Sequence, residues 1–292
     1  MLRRFHLEEP ESVGEASDLL ARHGESARVY AGGTELLLVM KEGLAHYERL
    51  VNVKKIPGLD GVTPDGGAIA IGALATHRRL AESPVLRERL PSFARMEAQV
   101  ANIRVREVGT IGGNLCFAEP HADPGALLLV LGATLVAARA SGRREIPVEK
   151  FFVDAYETAL EDGELLTGIR VPLPPARSAA VYLKFGYLER PSVGVGLFLS
   201  LSGKGNGKGQ SVGDVRVSVG CVGPTARRIE EAEALLGGKS LEEAARLVGE
   251  AGAAAARAAD AISDLHGAKD YKEHIVGVLL KRAFQQAAAE CR

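Results

Sequence analysis

Apolar residues recur at helical spacing at Val13, Ala16, Leu19 and Leu20, after the capping box Ser12-x-x-Glu15 and before Gly24. The first predicted element is therefore a helix. Arg28-Val29-Tyr30 reads as a short strand that runs into a Gly-Gly turn, and residues 35–41 read as a helix leaving it. Leu50-Val51-Asn52-Val53 is a candidate buried strand, and residues 58–72 form a predicted hairpin around Pro64-Asp65-Gly66-Gly67. Helices are expected at 76–81 and from 84 to about 101. A further apolar helix should run from Asp123-Pro124 to about Leu131, with Asp123 as its N-cap, followed by strands at 134–140, 145–148 and 165–171.

The proline cluster Pro172-Leu173-Pro174-Pro175 marks a change of pattern. Beyond it come three predicted strands (180–187, 193–202 and 214–222) and then alanine-rich helices from about 226 to the end. The chain thus reads as α+β, divided into residues 1–175 and 176–292. Its 292 residues exceed what most single hydrophobic cores contain, which agrees with two units.

Composition removes several function classes. With 36 Lys and Arg against 37 Asp and Glu, the net charge of −1 offers no general attraction to nucleic acid or anionic lipid, so any anion site must be local. The uncharged run 125–138 has 14 residues, short of the roughly 20 that span a bilayer. The N-terminus reaches acidic residues and Pro10 before any apolar run, unlike a secretion signal, and a cytoplasmic protein is expected. Cys116, Cys221 and Cys291 form no CxxC or CxxH pair, and the histidines form no HExxH motif, so no disulfide framework, metal site or iron–sulfur cluster is expected in this chain. His77 and His121 show no sequence partner and read as structural groups; Cys116 reads as a small apolar filler.

The candidate chemistry lies in two glycine-rich segments about 80 residues apart, Ala31-Gly32-Gly33-Thr34-Glu35-Leu36 and Thr110-Ile111-Gly112-Gly113-Asn114-Leu115. Glycine pairs let the backbone approach a ligand closely, so that N–H groups can point at phosphate oxygens. Two such turns with adjacent hydroxyls, Thr34 and Thr110, would suit a dinucleotide. The second continues as Ala118-x-Pro120-x-Ala122-Asp123-Pro124, a run of small and polar residues that core packing does not require. Two other glycine-bearing stretches do not qualify. Residues 203–209 have no helix after them and read as a mobile hairpin loop, and Gly238-Lys239-Ser240 lacks the glycine of a phosphate loop, Glu233 standing in its place.

Together with Ile71-Gly72-Ala73-x-Ala75-Thr76-His77, Val100-Ala101-Asn102-x-x-Val105-Arg106, Tyr182-x-Lys184 and the closing Tyr271-Lys272 tract, these segments resemble the flavin-binding medium subunits of molybdenum hydroxylases. That family includes subunits of carbon monoxide, xanthine and aldehyde dehydrogenases. The resemblance covers nearly the whole chain. It implies a two-lobed FAD-binding domain of the vanillyl-alcohol oxidase (PCMH) type, followed by a smaller domain with a three-stranded antiparallel sheet and a helical bundle.

The resemblance further implies that Val29, Tyr30, Ala31, Gly32, Gly33, Thr34, Glu35 and Leu36 wrap the FAD diphosphate from one side. Thr110, Ile111, Gly112, Gly113 and Asn114 do so from the other, with Val100 and Ala101 among the cofactor contacts. Asp123 matches the residue bonding the ribose region, Leu165 and Leu166 the position against the adenine, and Lys184 a lysine near the flavin ring; Tyr187 is a candidate for stacking beside it. No catalytic residue is assigned. The implied activity is oxidoreductase electron transfer, with the molybdopterin in a large partner subunit and two 2Fe–2S clusters in a small one, in an assembly of two copies of each of the three chains. FAD suits that position because flavin can take electrons singly and release two together. Glu189-Arg190-Pro191-Ser192 departs from the relatives' basic-then-acidic pattern, so the acceptor (quinone, NAD or oxygen) stays open. A self-sufficient flavin oxidase and a cofactor-free interaction module are the alternative readings.

Overall fold

The computed structural model describes residues 2–186, 190–203 and 209–291. In the first layer, the strand Arg49–Asn52 lies between His6–Glu8 and Ala27–Tyr30, all parallel. The helix Val13–His23 covers it through Ala16, Leu19 and Leu20, which cluster with Val51 and Val53. As the capping box predicts, the Ser12 hydroxyl accepts the N–H of Glu15, and Gly24, at φ +49°, turns the chain out of the helix.

A second lobe is built on five antiparallel strands in the order Val62–Asp65, Ala68–Gly72, Leu165–Pro172, Thr134–Arg139 and Gly142–Pro147. Against it lies Pro124–Leu131, a helix with no polar face, every residue of which is buried. This helix is also the joint to the last part of the chain. Ser218 donates to Ala126 O at 2.6 Å, and Gly196 and Gly220 leave the space that Ala126 fills.

The third sheet pairs Ser178–Phe185, Val193–Ser202 and Ser211–Gly220 antiparallel. Alternation along its strands sends Ala180, Tyr182 and Phe198 toward the helix Pro124–Leu131, whereas Val181, Val195, Leu197 and Leu199 face the helices Glu230–Leu236, Leu241–Ala258 and Lys269–Glu290. The α+β architecture agrees with the reading of the sequence, with one addition: the two-residue strand Arg227–Arg228 extends the expected three-stranded sheet to four.

Three local expectations need correction. The helix expected over 84–101 is two, Pro84–Arg89 and Pro91–Glu97. Leu90 adopts φ −143°, ψ 58°, because the ring of Pro91 disfavours a helical residue before it. Two short helices, Ile103–Val108 and Ile111–Phe117, are additional to the expected elements, and the second stands where the sequence reads as a glycine turn. The second contains Gly112 and Gly113, which are poor helix formers, and Ile111 and Leu115, four apart and both buried, outweigh them through packing. Tyr187, Glu189 and residues 204–208 lie outside the described residues.

Glu164 ties the third strand of the five-stranded sheet to its edge. Arg144 donates from Nε and Nη2 to the two carboxylate oxygens at 2.7 and 2.8 Å, and the Glu161 N–H donates at 2.7 Å. The Arg144 bonds hold the Glu164 carboxyl below its ordinary range. A depressed folded-state value stabilises the fold above the unfolded-state value, and that contribution disappears as pH falls through the folded one. E164Q should therefore lower stability by about 1–3 kcal/mol at neutral pH and narrow its gap to wild type in acid, as read by urea denaturation from about pH 7 down to pH 3.

Candidate functional site

The two glycine segments meet backbone to backbone. A Cβ on Gly32 would lie 2.2 Å from Val108 O and 2.8 Å from Gly109 Cα, so only glycine lets the first turn rest on the start of the second segment. Gly33, at φ +72°, turns the chain where the strand Ala27–Tyr30 ends and the helix Leu36–Lys41 begins. Behind the second segment runs 73–77. Gly112 N–H donates to Ala73 O at 2.8 Å, Ile111 N–H to Ala75 O at 3.0 Å, and His77 N–H to Gly109 O at 3.0 Å. A Cβ on Gly112 would collide with Ala73 at 2.6 Å. The Ile71-to-His77 motif thus backs the second glycine segment.

The two segments differ in what they offer a ligand. In the second, Ile111 and Gly112 are committed to 73–77, Gly113 N–H donates to Thr110 Oγ1 at 3.1 Å, and Asn114 N–H donates to Thr110 O at 2.9 Å. These amides close the helix Ile111–Phe117 on itself and on its support, a use that the expectation of N–H groups from both glycine turns pointing at phosphate did not include. In the first, the N–H groups of Gly32, Gly33 and Thr34 enter none of the turn, cap and loop hydrogen bonds among the described residues. Asn114 Oδ1 is buried with no hydrogen-bond partner among the described residues. Amides on one side can donate to phosphate oxygens and a side-chain oxygen on the other can accept from a hydroxyl, a combination that suits a group carrying both, such as a dinucleotide.

Asp123 does not cap the helix Pro124–Leu131; its backbone is already helical and its side chain turns away. Tyr182 OH donates to Oδ1 at 2.9 Å, and Lys184 Nζ lies 3.1 Å from Oδ1 and 3.2 Å from Oδ2. Lys184 also donates to Gln99 O at 2.7 Å. Both ends of the ion pair are buried, so Asp123 and Lys184, 61 positions apart, satisfy each other and join the second glycine segment to the third sheet. Leu165 lies in the cluster beneath the parallel sheet, and Leu166, on the opposite face of the same strand, lies in the main core. Val100 is buried, whereas Ala101 takes φ +41° and its carbonyl accepts Arg106 Nη1 at 2.9 Å.

Sequence reasoning missed the partners that complete the region. Glu97 pairs with His77; Arg190 Nη2 reaches Glu35 at 2.8 Å and Glu119 at 3.3 Å, linking both glycine segments. His121, read as partnerless, stands between Glu119 at 3.3 Å and Asp264 at 3.1 Å, and Asp264 in turn holds the buried Lys272. Lys272 was visible as half of Tyr271-Lys272; nothing local marked Glu97.

The fold is a two-lobed α+β protein whose two glycine segments meet backbone to backbone, with a sheet-and-helix unit behind. Residues 3–174 match the model for the FAD binding domain in molybdopterin dehydrogenase, and residues 191–287 match the CO dehydrogenase flavoprotein C-terminal domain. The carbon monoxide dehydrogenase medium chains of Hydrogenophaga pseudoflava and Afipia carboxidovorans are 36% and 34% identical to this chain, each alignment covering 99% of it and 98% of the relative. The solved carbon monoxide dehydrogenase of Hydrogenophaga pseudoflava superposes with a TM-score of 0.93 over 100% of both chains. The chain belongs to the FAD-binding medium-chain family of molybdenum hydroxylases.

Gly32→Ala should cost about 3 kcal/mol or more, since backbone rather than a movable side chain opposes the new methyl. Gly14→Ala, whose Cβ meets nothing within 4 Å, should stay within about 0.5 kcal/mol of wild type in the same thermal unfolding series. Lys184→Met should cost about 3–5 kcal/mol by leaving Asp123 buried and unpaired, and D123L/K184M should recover a large part of that loss in denaturant titrations.

Proposed function

We infer that this chain is the FAD-carrying electron-transfer subunit of a molybdenum hydroxylase complex. The observation that carries this reading is the asymmetric pair of segments: the amides of Gly32, Gly33 and Thr34 make no hydrogen bond among the described residues, and the second glycine segment, in contact at Gly32, carries an Asn114 oxygen with no partner among them. Val29 to Leu36 would hold the diphosphate through backbone amides, and the Thr110 hydroxyl and the side-chain NH2 of Asn114 would donate to it from the other side, leaving Asn114 Oδ1 to accept from a cofactor hydroxyl. One of Leu165 and Leu166, which lie on opposite faces of their strand, would bound the adenine. Asp123, Lys184, Val100, Ala101 and Tyr187 would border the ribose and flavin end. Bound FAD would supply the step between single-electron donors and a two-electron acceptor. The chain's own work is to bind it, exclude water and fix the surrounding charge.

The division of labour follows from the thiols. Burial pushes Cys116 up to about 12 and Cys291 up to about 11, and Cys221 is raised further by burial and by Asp123. Thiols held protonated and far apart are poor cluster ligands. Electrons then arrive from 2Fe–2S clusters in a small partner chain, with the molybdopterin in a large one, in an assembly of two copies of each of three subunits. Residues 1–175 would form the FAD domain and 176–292 the second domain. No helix among the described residues is long and apolar enough to cross a membrane, and the proposed location is the cytoplasm.

Purified with its partner chains, the protein should release about one noncovalent FAD per chain on denaturation, identified by its fluorescence and its absorbance at about 450 nm. Asn114→Ala should weaken FAD binding by about tenfold without lowering the thermal midpoint of the cofactor-free protein, because it removes an unsatisfied buried acceptor. A protein that takes up no added FAD, alone or with its partners, would sink this reading.

A further inference from the structure

A buried imidazole–carboxylate pair stands directly behind the meeting point of the two glycine segments. His77 and Glu97 are 2% and 0% exposed, and His77 Nδ1 lies 2.6 Å from Glu97 Oε2. The other carboxylate oxygen of Glu97, Oε1, is buried with no hydrogen-bond partner among the described residues. His77 touches Gly109 twice. Its N–H donates to Gly109 O, and its ring edge lies 3.3 Å from where a Gly109 Cβ would stand, with Thr34 Oγ1 at 3.4 Å from the same point. Gly109 is thus held between the imidazole and the first glycine turn. Glu97 ends the helix Pro91–Glu97, and two residues further Gln99 O accepts Lys184.

A polar pair in so dry a place adds little stability over an apolar pair of equal volume, so stability alone does not account for it. We propose that His77 and Glu97 are positioning residues of the cofactor cradle. The imidazole pins Gly109 against the first glycine turn, and the one proton shared with Glu97 keeps a negative charge away from the bound dinucleotide. This rests on the FAD reading and deepens it.

The charge argument follows from counting protons. Whichever atom holds the shared proton, the pair is neutral; without it, Glu97 is an anion beneath a cofactor that carries a diphosphate. The groups facing the pair do not offset that charge. Asp123, at the start of the helix Pro124–Leu131, is itself acidic, and Lys184, on the strand Ser178–Phe185, is committed to Asp123, as is Tyr182 on the same strand. Cys221, the remaining neighbour of Asp123, is held protonated. Burial raises the Glu97 carboxyl, the His77 ring opposes that rise, and Asp123 adds to it, so the carboxyl resists ionising alone.

The test is the dissociation constant of FAD for the full chain, measured by flavin fluorescence quenching from about pH 6 to pH 9.5, with wild type, E97Q and H77N. Wild type should bind about five- to tenfold more weakly at the alkaline end as the pair loses its proton, and E97Q should remove that dependence. In H77N, which keeps a donor for Glu97 but loses the ring, the weakening should begin at lower pH. A merely structural pair would change the thermal midpoint of the cofactor-free protein and leave the shape of the pH profile alone. E97Q following the wild-type profile, or a wild-type profile that is flat, overturns the proposal while FAD binding itself stands. Should E97Q not fold, H77N decides: a profile displaced to lower pH supports the proposal and an undisplaced one overturns it. Wild type that binds no FAD at any pH defeats the FAD reading instead.

Discussion

The contact of Gly32 with the backbone at Val108 and Gly109 sets the distance between the two glycine segments, and the rest of the site is arranged around it. Two peptide backbones can lie this close only where a side chain is missing. On the far side, the hydrogen bonds from 73–77 hold the second segment from behind, so it is clamped between the parallel sheet's turn and the end of the five-stranded sheet. Each glycine in the clamp has its own reason. Gly32 and Gly112 are required by close approach, whereas Gly33 is required by its left-handed backbone.

Around this clamp the chain places an unusual amount of buried charge. Asp123 with Lys184, His77 with Glu97, and Lys272 with Asp264 each bring a fully or nearly inaccessible group to a partner on a different element. Such pairs are poor sources of stability but costly to break, which makes them effective at fixing how elements sit relative to one another. Lys184 joins the third sheet to the loop after Glu97 and to Asp123; Lys272, through Asp264, reaches His121 beside that same aspartate. The C-terminal helices are in this way wired to the segment that leaves the second glycine turn.

Much of the fold was legible because its signals are local and periodic. The capped first helix, the hairpin at Pro64–Gly67, the all-apolar helix after Asp123 and the three long strands all announced themselves through spacing and turn residues. The misses share a cause. Pro91 breaks a helix whose apolar pattern continues across it, and Ile111–Phe117 is helical despite two glycines because Ile111 and Leu115 are packed by distant residues. In the site, the glycine segments and Asp123 stood out by residue type, but the expected N-cap role of Asp123 gave way to Tyr182 and Lys184, which lie about 60 positions downstream.

The sequence by itself determined where the chain can turn tightly and which faces must be buried. These properties depend only on a residue and its near neighbours. Tertiary structure alone decided which amides are spent and which are free, that Glu97 lies against His77, and that Asp123 is satisfied by a lysine from another sheet. Partnership of that kind is set by which elements meet in space, and a charge shows no sign in sequence of the group that will neutralise it once water has been removed.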